Sequence, residues 1–546
     1  MADFLSTTVS GLSTVQRALD VLSHNVANAY TEGYTRQNVV IATRTPQETG
    51  QGAVGTGSAL TDISRTFDQF LGQTLQGALS EQGRLGSRDL ILGQMDEIVS
   101  ADENNLSSRL TTFFNSAQDV ANAPSDLAVR TAFLGEARTM AQQIQAMDRR
   151  LADVEGGLVQ RAMRVGGEIN EMTSEIAKLN ETILDSRRRF PDHQPNDLLD
   201  RRDLLLRNLA EKVDIKTYED GDGNINISIG SGQSLVNAER ATPVGVGNTS
   251  AGLSIHVGNS DVTNLVSGGE LGGLMRVKEE ELEPRRAELG RMVFSFATRF
   301  NEVHGQGVDM DGNAGTATFF NVTALNTPVA AEPKVSPPAF GVSVSITDVT
   351  QLTANDYTLK YEGSQWNLYK SGQSTAIQSP VAASPIALDG VEITYAALPN
   401  PPAAGDPDRI AIRPMAGEMS SLAVNVGNAR EIAAAAVGEG PGDNSNMLKL
   451  TAISTETNVV QGSMSLTEAF TVFIADFGAE ARGVSVSLEA QQLVVKQTED
   501  RLQSVVGVNL DEEAANLMRL QNHYLALSKS MSIGETLFQS LLQAAS

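Results

Sequence analysis

The chain has 546 residues, of which 41% are hydrophobic. This length is too great for a single hydrophobic core and predicts roughly three to four domains. Its net charge of −25 argues against binding to nucleic acid or to an anionic membrane, because both require an exposed basic surface. It contains no cysteine, which excludes disulfides, thiolate catalysis and cysteine-ligated zinc.

We expect neither a cleaved secretory signal nor a transmembrane helix. The first residues, MADFLSTTVSGLSTVQRALD, have no basic segment and no continuous apolar run. No stretch of the sequence approaches the roughly 18 apolar residues that span a bilayer. If the protein leaves the cell, it therefore uses a route that needs no cleaved signal.

A seven-residue apolar repeat runs through residues 4–28 and predicts an amphipathic helix. Such a repeat forms a narrow apolar seam that suits pairing with a second helix. Residues 1–45 contain three acidic and three basic residues, so the seam lies in an electrically neutral segment. The residues of this first seam are Leu5, Leu12, Val15, Leu19, Leu22 and Val26.

Gly50, Gly52 and Gly55 match the G-x-G-x-x-G pattern of dinucleotide-binding loops. That interpretation requires a buried strand before the glycines and a helix that starts at them. Here the preceding TRTPQETG is polar, and the following TGSALTDISR alternates like a strand. We therefore predict strands and turns over residues 30–63, with a turn-rich hairpin at the glycines.

Helical periodicity dominates from residue 67 to about 99 and from 106 to about 190, with a break at Pro124. After the helical segment NDLLDRRDLLLRNLAEKVDI, the run DGDGNINISIGSGQSLV predicts a hairpin. A helix is predicted again from 271 to 304, followed by an all-β module from 319 to 414. Helical patterning resumes near Val426, and from Leu466 it continues to the end with an interruption around Gly507.

The last predicted helix carries a second seven-residue repeat, which suggests that the two ends of the chain come together. From periodicity alone, pairing within one monomer and packing between subunits are equally good interpretations. The residues of this second seam are Leu510, Leu517, Leu520, Tyr524, Leu527, Met531, Phe538 and Leu541.

Patterns typical of active or metal sites are incomplete. Two acidic runs, at residues 220–224 and 309–313, begin as EF-hand loops do but lack the central glycine and the closing glutamate. No two of the five histidines are four residues apart, and no G-x-S-x-G elbow occurs. We therefore expect turns at both acidic runs, no metal, no cofactor and no catalysis.

The order of helices and strands predicts an α+β multidomain fold with four parts. Residues 1–45 and 505–546 form a coiled-coil-like terminal assembly domain. A helix-rich core domain takes residues 46–212, 269–318 and 425–504. A β-hairpin-rich module at 213–268 and a β-rich distal domain at 319–424 are inserted into it.

Residues 23–40, SHNVANAYTEGYTRQNVV, resemble the amino-terminal signature of the flagellar axial proteins, which form the rod, the hook and the hook-associated structures. The two asparagines can satisfy carbonyls where the first helix ends, and Gly33 can take a turn that a side chain resists. Tyr34 and Arg36 then start an extended segment. The residues that carry the motif are Asn25, Asn28, Gly33, Tyr34, Arg36 and Gln37.

Longer segments resemble one family of axial proteins, the hook-associated proteins that join the hook to the filament. These segments include NNLSSRLTTFFNSAQDVANAPSDLAVRTAFL, SGGELGGLM and GVNLDEEAANLMRLQNHYLALSKSMSIGETLFQSLLQ. The resemblance covers about residues 1–320 and 425–546. The segment around 321–420 carries little that matches.

The resemblance implies a non-enzymatic structural adaptor, located outside the cell at the hook–filament junction of the bacterial flagellum. It also implies export of the unfolded chain through the flagellar type III channel and self-assembly into a ring through the terminal helices. The implied partners are the hook protein, the second hook-associated junction protein and a cytoplasmic export chaperone that holds Leu510–Leu541.

Two alternatives are left open by the sequence. Another axial component, a hook or rod protein, would share the amino-terminal motif, although the GVNLDEEAANL ending and the DLLDRRDLLL helix favour the junction protein. A secreted adhesin or hydrolase that acts through the 319–424 module would belong to a different class. A saturable ligand for the excised module would support that second alternative.

Overall fold

The computed structural model describes most of the chain: residues 2–49, 52–100, 106–191, 193–230, 232–249, 252–322, 329–330, 341–370, 373, 375–381, 383–395, 398, 400, 402, 409–415, 417–457, 459 and 464–545. Within these residues no helix is long and apolar enough to cross a membrane. Nor do they contain a group of three or more His, Asp or Glu side chains that could hold a metal ion.

Long helices dominate both ends of the chain. One π-helical turn, Val277–Leu282, connects α6 to α7 without a break. The helices are α1 (Ala2–Ala27), α2 (Gln69–Ser100), α3 (Leu106–Asn122), α4 (Leu127–Arg189), α5 (Asn196–Lys212), α6 (Gly269–Arg276), α7 (Glu283–Gly305), α8 (Glu418–Ser421), α9 (Ser445–Ala452), α10 (Leu466–Val506) and α11 (Leu510–Ala545).

The strands form several small antiparallel sheets, most of them in the middle of the chain. Near the amino terminus β1 (Gln37–Thr43) pairs with β4 (Ser58–Arg65), and β2 (Gln47–Thr49) pairs with β3 (Gly52–Val54). The next sheets contain β5 (Ile215–Glu219), β6 (Ile225–Ile229), β7 (Gln233–Asn237) and β8 (Arg240–Ala241), then β9 (Val244–Thr249), β10 (Gly252–Val257) and β11 (Ser260–Asp261).

The region between α7 and α10 adds two further sheets and two short strand pairs. A four-stranded sheet has the order β14 (Val329–Ala330), β20 (Arg409–Ile412), β16 (Tyr357–Glu362) and β17 (Gln365–Lys370), and a three-stranded sheet has the order β15 (Ser343–Ile346), β19 (Val391–Thr394) and β18 (Ile386–Leu388). The pairs are β12 (Gly307–Val308) with β22 (Ala435–Ala436) and β13 (Phe320–Asn321) with β21 (Ala423–Val424).

The predicted α+β multidomain fold is confirmed, and its main helix ends have local causes. Pro124 lies between α3 and α4, where the Asp126 carboxylate accepts a hydrogen bond from the Ala128 N–H at 2.8 Å and caps α4. A reciprocal capping box between Ser465 and Glu468 starts α10. The chain leaves the helical conformation at Gly507, so that α10 and α11 are separate helices.

The predicted turns are also present at the three apparent motifs. Gly52 lies in the β2–β3 hairpin and Gly55 directly follows β3, whereas Gly50 falls outside the described residues. In the two acidic runs, the side chain of the first aspartate accepts hydrogen bonds from the backbone two and four residues later, at 2.8–3.0 Å. These are Asx-type turns, in which the side chain fixes its own loop. The first aspartates of the two runs are Asp220 and Asp309.

Two apolar cores hold the middle of the molecule together. The larger core joins α2, α3, α4, α7 and the sheets of residues 215–261, and a group of buried phenylalanine rings with neighbouring centroids 4.9–6.1 Å apart lies in it. The smaller core consists mainly of residues 342–415, together with Ala287 and Phe294 of α7, and is centred on the two sheets of that region. The phenylalanines of the larger core are Phe113, Phe133, Phe296, Phe300, Phe319 and Phe320.

The prediction of a helix from Val426 was wrong. Residues 422–444 form short strands and one 3-10 turn, Ala429–Glu431, and a regular helix begins again only at Ser445. Buried side chains from the surrounding helices satisfy the backbone of this segment: Arg130 donates to the Ile432 carbonyl at 2.7 Å, and His304 Nε2 accepts from the Ala433 N–H at 3.0 Å. Tertiary hydrogen bonds thus replace helical ones.

His304 should make this segment sensitive to acid. The ring accepts from Ala433 and lies 2.8 Å from the Thr316 carbonyl, so it is neutral with the proton on Nδ1, and burial lowers its pKa from 6.5 to about 4. The unfolded chain takes up a proton below pH 6.5 and the folded chain does not, so the free energy of unfolding falls as the pH falls from 6.5 to 4. We expect His304→Gln to remove this contribution, which urea denaturation at pH 4.5 and 7.0 measures. The exposed His523→Gln is the control, and an unchanged pH dependence in His304→Gln would contradict the assignment.

Candidate assembly site at the chain termini

The first and last helices pack against each other in opposite directions. Gly11 of α1 faces Leu527 of α11. Phe4, two turns earlier in α1, faces Gly534, two turns later in α11. A Cβ at Gly534 would lie 2.8 Å from the Phe4 ring, closer than side chains tolerate. The two glycines therefore set the close approach of α1 to α11.

The first seam is partly covered by this pairing. Val15 and Leu22 are buried, Leu5, Leu12 and Leu19 are half-buried, and Val26 is 44% exposed. The most buried face of α1 is rotated from the predicted seam because the helix also packs on β4, where Thr14 Oγ1 reaches the Ser58 carbonyl at 3.5 Å. Other buried residues on this face are Thr8, Ser10, Ala18 and Val21.

The second seam is covered much less. Leu517, Leu520 and Leu527 are half-buried against α1. The remaining seam residues are 36–47% exposed, and the side chain of Leu541 falls outside the described residues. The exposed members are Leu510, Tyr524, Met531 and Phe538. The chain thus brings the two seams together but leaves much of the second one in solvent.

A further apolar stripe on α11 does not follow from the predicted seam. Met518, Leu525, Ile533 and Leu537 follow one another at intervals of seven, eight and four residues, which places them on one side of a helix. They are 49–64% exposed and lie on the side away from Leu520 and Leu527. We call these four residues the outer stripe. Its signal in the sequence is a second repeat, offset by one residue from the seam at Leu517 and Tyr524.

The motif residues after α1 form a closed polar loop. The Asn25 side chain donates to the Gln37 carbonyl at 2.9 Å and accepts from the Gln37 N–H at 3.0 Å, so it replaces a strand neighbour rather than capping the helix. Tyr34 donates its hydroxyl to the same Asn25 oxygen at 2.7 Å, and burial raises the pKa of this phenol. Asn28 does reach a helix carbonyl, that of His24, at 3.0 Å.

The turn at Gly33 has a positive φ of 81°, and a Cβ there would lie 3.2 Å from the side chain of Leu204. This position favours glycine both because of its backbone conformation and because α5 packs directly against it.

The same loop is fixed to the core through a second group of buried polar residues on β4 and α5. Asp200 accepts from the Thr35 N–H at 3.0 Å, from the Thr35 hydroxyl at 2.6 Å and from Arg65 Nη1 at 2.9 Å. Arg65 also contacts Asp203 at 2.6 Å, and the side chains of Arg65 and Asp200 are only 8% and 7% exposed. Burial raises the pKa of Asp203, although the charge of Arg65 opposes it. We call Thr35, Arg65, Asp200 and Asp203 the anchor.

Arg36 connects the loop to the carboxyl-terminal helices. Its guanidinium lies 2.7 Å from Glu512 and 2.8 Å from Glu513, and its backbone N–H donates to the Val506 carbonyl at 2.8 Å. Val506 ends α10, and the two glutamates lie in the first turn of α11. The motif loop therefore contacts both the core, through the anchor, and the joint between the last two helices.

Comparisons with known proteins agree with this architecture. The model of the flagellar hook-associated protein FlgK helical domain matches residues 92–320, that of the flagellar hook-associated protein 1 D2-like domain matches 334–414, and that of the flagella basal body rod protein matches 5–35. Flagellar hook-associated protein 1 of Salmonella typhimurium is 28% identical over 99% of this chain and all of its own length, and that of Escherichia coli is 27% identical over the same shares. The chain belongs to the flagellar hook-associated protein 1 family.

The hook-associated protein 1 fold is found in a solved structure too. The flagellar hook junction protein FlgK from Burkholderia pseudomallei superposes with a TM-score of 0.71 at 20% sequence identity, over 80% of this chain and all of that one. The chain is accordingly a structural component of the flagellum at the hook–filament junction, and its known relatives are structural proteins rather than enzymes. Most of the segment that the sequence left unmatched, 321–420, is matched by the D2-like domain model, over residues 334–414.

Proposed function

We propose that this protein acts as the adaptor of the hook–filament junction by packing its terminal helices against those of neighbouring subunits in a ring. The observation that carries the proposal is the exposed apolar surface of α11, which remains after α1 has covered the opposite side. The outer stripe alone holds four large apolar side chains that are 49–64% exposed. Burying such a side chain is worth roughly 1.5–3 kcal/mol, so the stripe is unfavourable in solvent and strongly favourable at an interface.

The same surface supports the proposed partners. Within the axial assembly, the terminal pair would contact the hook protein on one side and the second hook-associated junction protein on the other. Before export, a cytoplasmic chaperone would cover α11, including Leu510–Leu541, and prevent association through the exposed residues. The unfolded chain would then leave through the flagellar type III channel and end outside the cell.

We also propose that the predicted domains, with the boundaries given above, are the units from which the protein is built. The pairing of α1 with α11 supports a terminal domain of residues 1–45 and 505–546, and the separate apolar core of residues 342–415 supports a distal domain at 319–424. The sheets of 213–268 share the larger core with the long helices, so this module is packed firmly on the core domain of residues 46–212, 269–318 and 425–504.

The test is to replace the outer stripe without disturbing the helix. We expect Met518→Gln, Leu525→Gln, Ile533→Gln and Leu537→Gln, made together, to give a folded, secreted protein that no longer attaches filaments, because glutamine keeps helix propensity and removes apolar area. Electron microscopy of hooks and assay of the protein in the medium measure attachment and export.

A matched control changes exposed polar positions of α11 that lie off the stripe, with Gln521→Ala, Glu535→Gln and Gln539→Ala, and should assemble normally. Normal filaments on the four-residue variant would contradict the proposal. Retention of that variant inside the cell would support the contact of the stripe with the export chaperone. Attachment would then be measured by adding the purified variant to isolated hooks.

A further inference from the structure

A cluster of charged side chains lies where the long helices meet the distal domain. Lys278 of the π-helical turn is buried, yet its Nζ lies 2.5 Å from a Glu155 oxygen of α4 and 2.6 Å from a Glu283 oxygen of α7. Arg286 contacts the same Glu155 at 3.1 Å and Asp148 at 2.8 Å. These five residues connect three helical segments into one network.

The distal domain joins this network through Arg413 and Asp356. Arg413 Nη2 lies 2.9 Å from a Glu283 oxygen, and its Nε lies 4.0 Å from Asp356 Oδ2. The Asp356 side chain is 12% exposed, and no described residue donates a hydrogen bond to it. Apolar contacts complete the joint, since Ala287 and Phe294 of α7 belong to the core of the distal domain.

The cluster contains one more acid than base. An uncompensated buried charge is costly, so the network is neutral when one of its carboxyl groups keeps a proton. Asp356 has the longest contact with a cation, 4.0 Å, whereas the other three carboxylates have contacts of 2.5–3.1 Å. The acids are Asp148, Glu155, Glu283 and Asp356, and the bases are Lys278, Arg286 and Arg413.

The pKa shifts of the individual carboxyl groups agree with these contact distances. Burial raises the pKa of Asp356 to about 7, against the opposing charge of Arg413 and with a contribution from Glu283. At Glu155 the effect of burial is outweighed by Lys278 and Arg286, and its pKa is lowered. The proton that makes the network neutral is therefore bound to Asp356, the carboxyl group that the distal domain supplies.

We propose that Asp356 is a proton-sensitive latch that holds the distal domain on the long helices. The joint is firm while this carboxyl group is protonated and loosens when it ionises beside Glu283. Opening the joint returns Asp356 to water, where its ordinary pKa is 3.8, so opening releases a proton between about pH 4 and pH 7. The latch acts on the attachment of the distal domain and does not depend on which partners the terminal helices bind.

The test is hydrogen exchange of the full-length protein between pH 5 and 8.5, corrected for the intrinsic pH dependence of exchange. For peptides from β16 and from the start of α7, we expect the opening constant to rise by up to about tenfold per pH unit below pH 7 and to level off above it. Asp356→Asn, which cannot ionise, should lose this rise. The matched control is Asp348→Asn in the same domain. Hydrogen bonds from Thr350 lower the pKa of Asp348, so this variant should keep the wild-type profile.

A second variant keeps the proposal testable if Asp356→Asn does not fold. Glu283→Gln removes the carboxylate that repels an ionised Asp356. The pH at which the opening constant levels off should therefore be lower in this variant. A different buried carboxyl, Glu281, has its pKa raised to about 7 by burial beside Glu480, but it contacts Arg88 of α2 and is unchanged in both variants. A wild-type profile without the rise, or the same profile in Asp356→Asn or Glu283→Gln, would overturn the latch.

Discussion

Phe300→Ala is expected to lower the free energy of unfolding by about 3–5 kcal/mol. The ring of Phe300 is fully buried, and its centroid lies 4.9 Å from that of Phe319, 5.3 Å from that of Phe320 and 5.6 Å from that of Phe113. Removing it deletes apolar contacts and leaves a cavity between rings that belong to different elements. Because these elements cannot all move inward at once, the cavity collapses only in part.

The matched control is Phe190→Ala at the end of α4, where the ring is 54% exposed. This variant should change the free energy of unfolding by less than about 1 kcal/mol, since little apolar area leaves water. Urea denaturation followed by circular dichroism compares the two variants with the wild type. Equal effects would show that the phenylalanine group does not hold the core together.

The long helices could be predicted because their patterns are local. Apolar periodicity, Pro124 and Gly507 place the helices and breaks of residues 67–190 and 466–545 close to where the structure has them. The β-rich nature of residues 319–414 follows equally from composition. A repeat also predicts that α1 pairs through one side, but it cannot say that β4 covers the neighbouring side and shifts the buried face.

Features that depend on distant residues could not be predicted. Residues 422–444 lack helical hydrogen bonds because Arg130 and His304, more than a hundred positions away, satisfy the backbone instead. The anchor likewise joins Thr35 and Asp200, which are 165 residues apart. In the sequence, Asp200 is one charged residue among several in a helix rich in charge. The motif residues could be singled out, but the groups that they contact could not.

Asp200→Ala should release the terminal helix pair from the core while leaving the core folded. The substitution removes the acceptor of three hydrogen bonds and leaves Arg65, which is 8% exposed, with Asp203 as its remaining carboxylate. A hydrogen bond to a charged group contributes about 1.5–3 kcal/mol, and both the Thr35 N–H and the Thr35 hydroxyl lose their acceptor. Hydrogen exchange should therefore become at least about a hundredfold faster in β1, β4 and the motif loop. Exchange in α4 should be unchanged.

A double-variant cycle separates this loss of pairing from a simple loss of packing. The cycle is made in an Asp203→Asn background, so that no carboxylate is left facing an absent guanidinium. If the cost comes from the broken pair, adding Arg65→Met to Asp200→Ala should there restore part of the protection, because both charges of the pair are then absent. Asp185→Ala serves as the control. Asp185 is 63% exposed and lies 3.8 Å from Arg188, and such a surface ion pair contributes little to stability. Strictly additive effects of the Arg65 and Asp200 changes would contradict the role of the anchor. Partial rescue would instead identify a charge pair, rather than the apolar seams, as the element that fixes the terminal helices to the core.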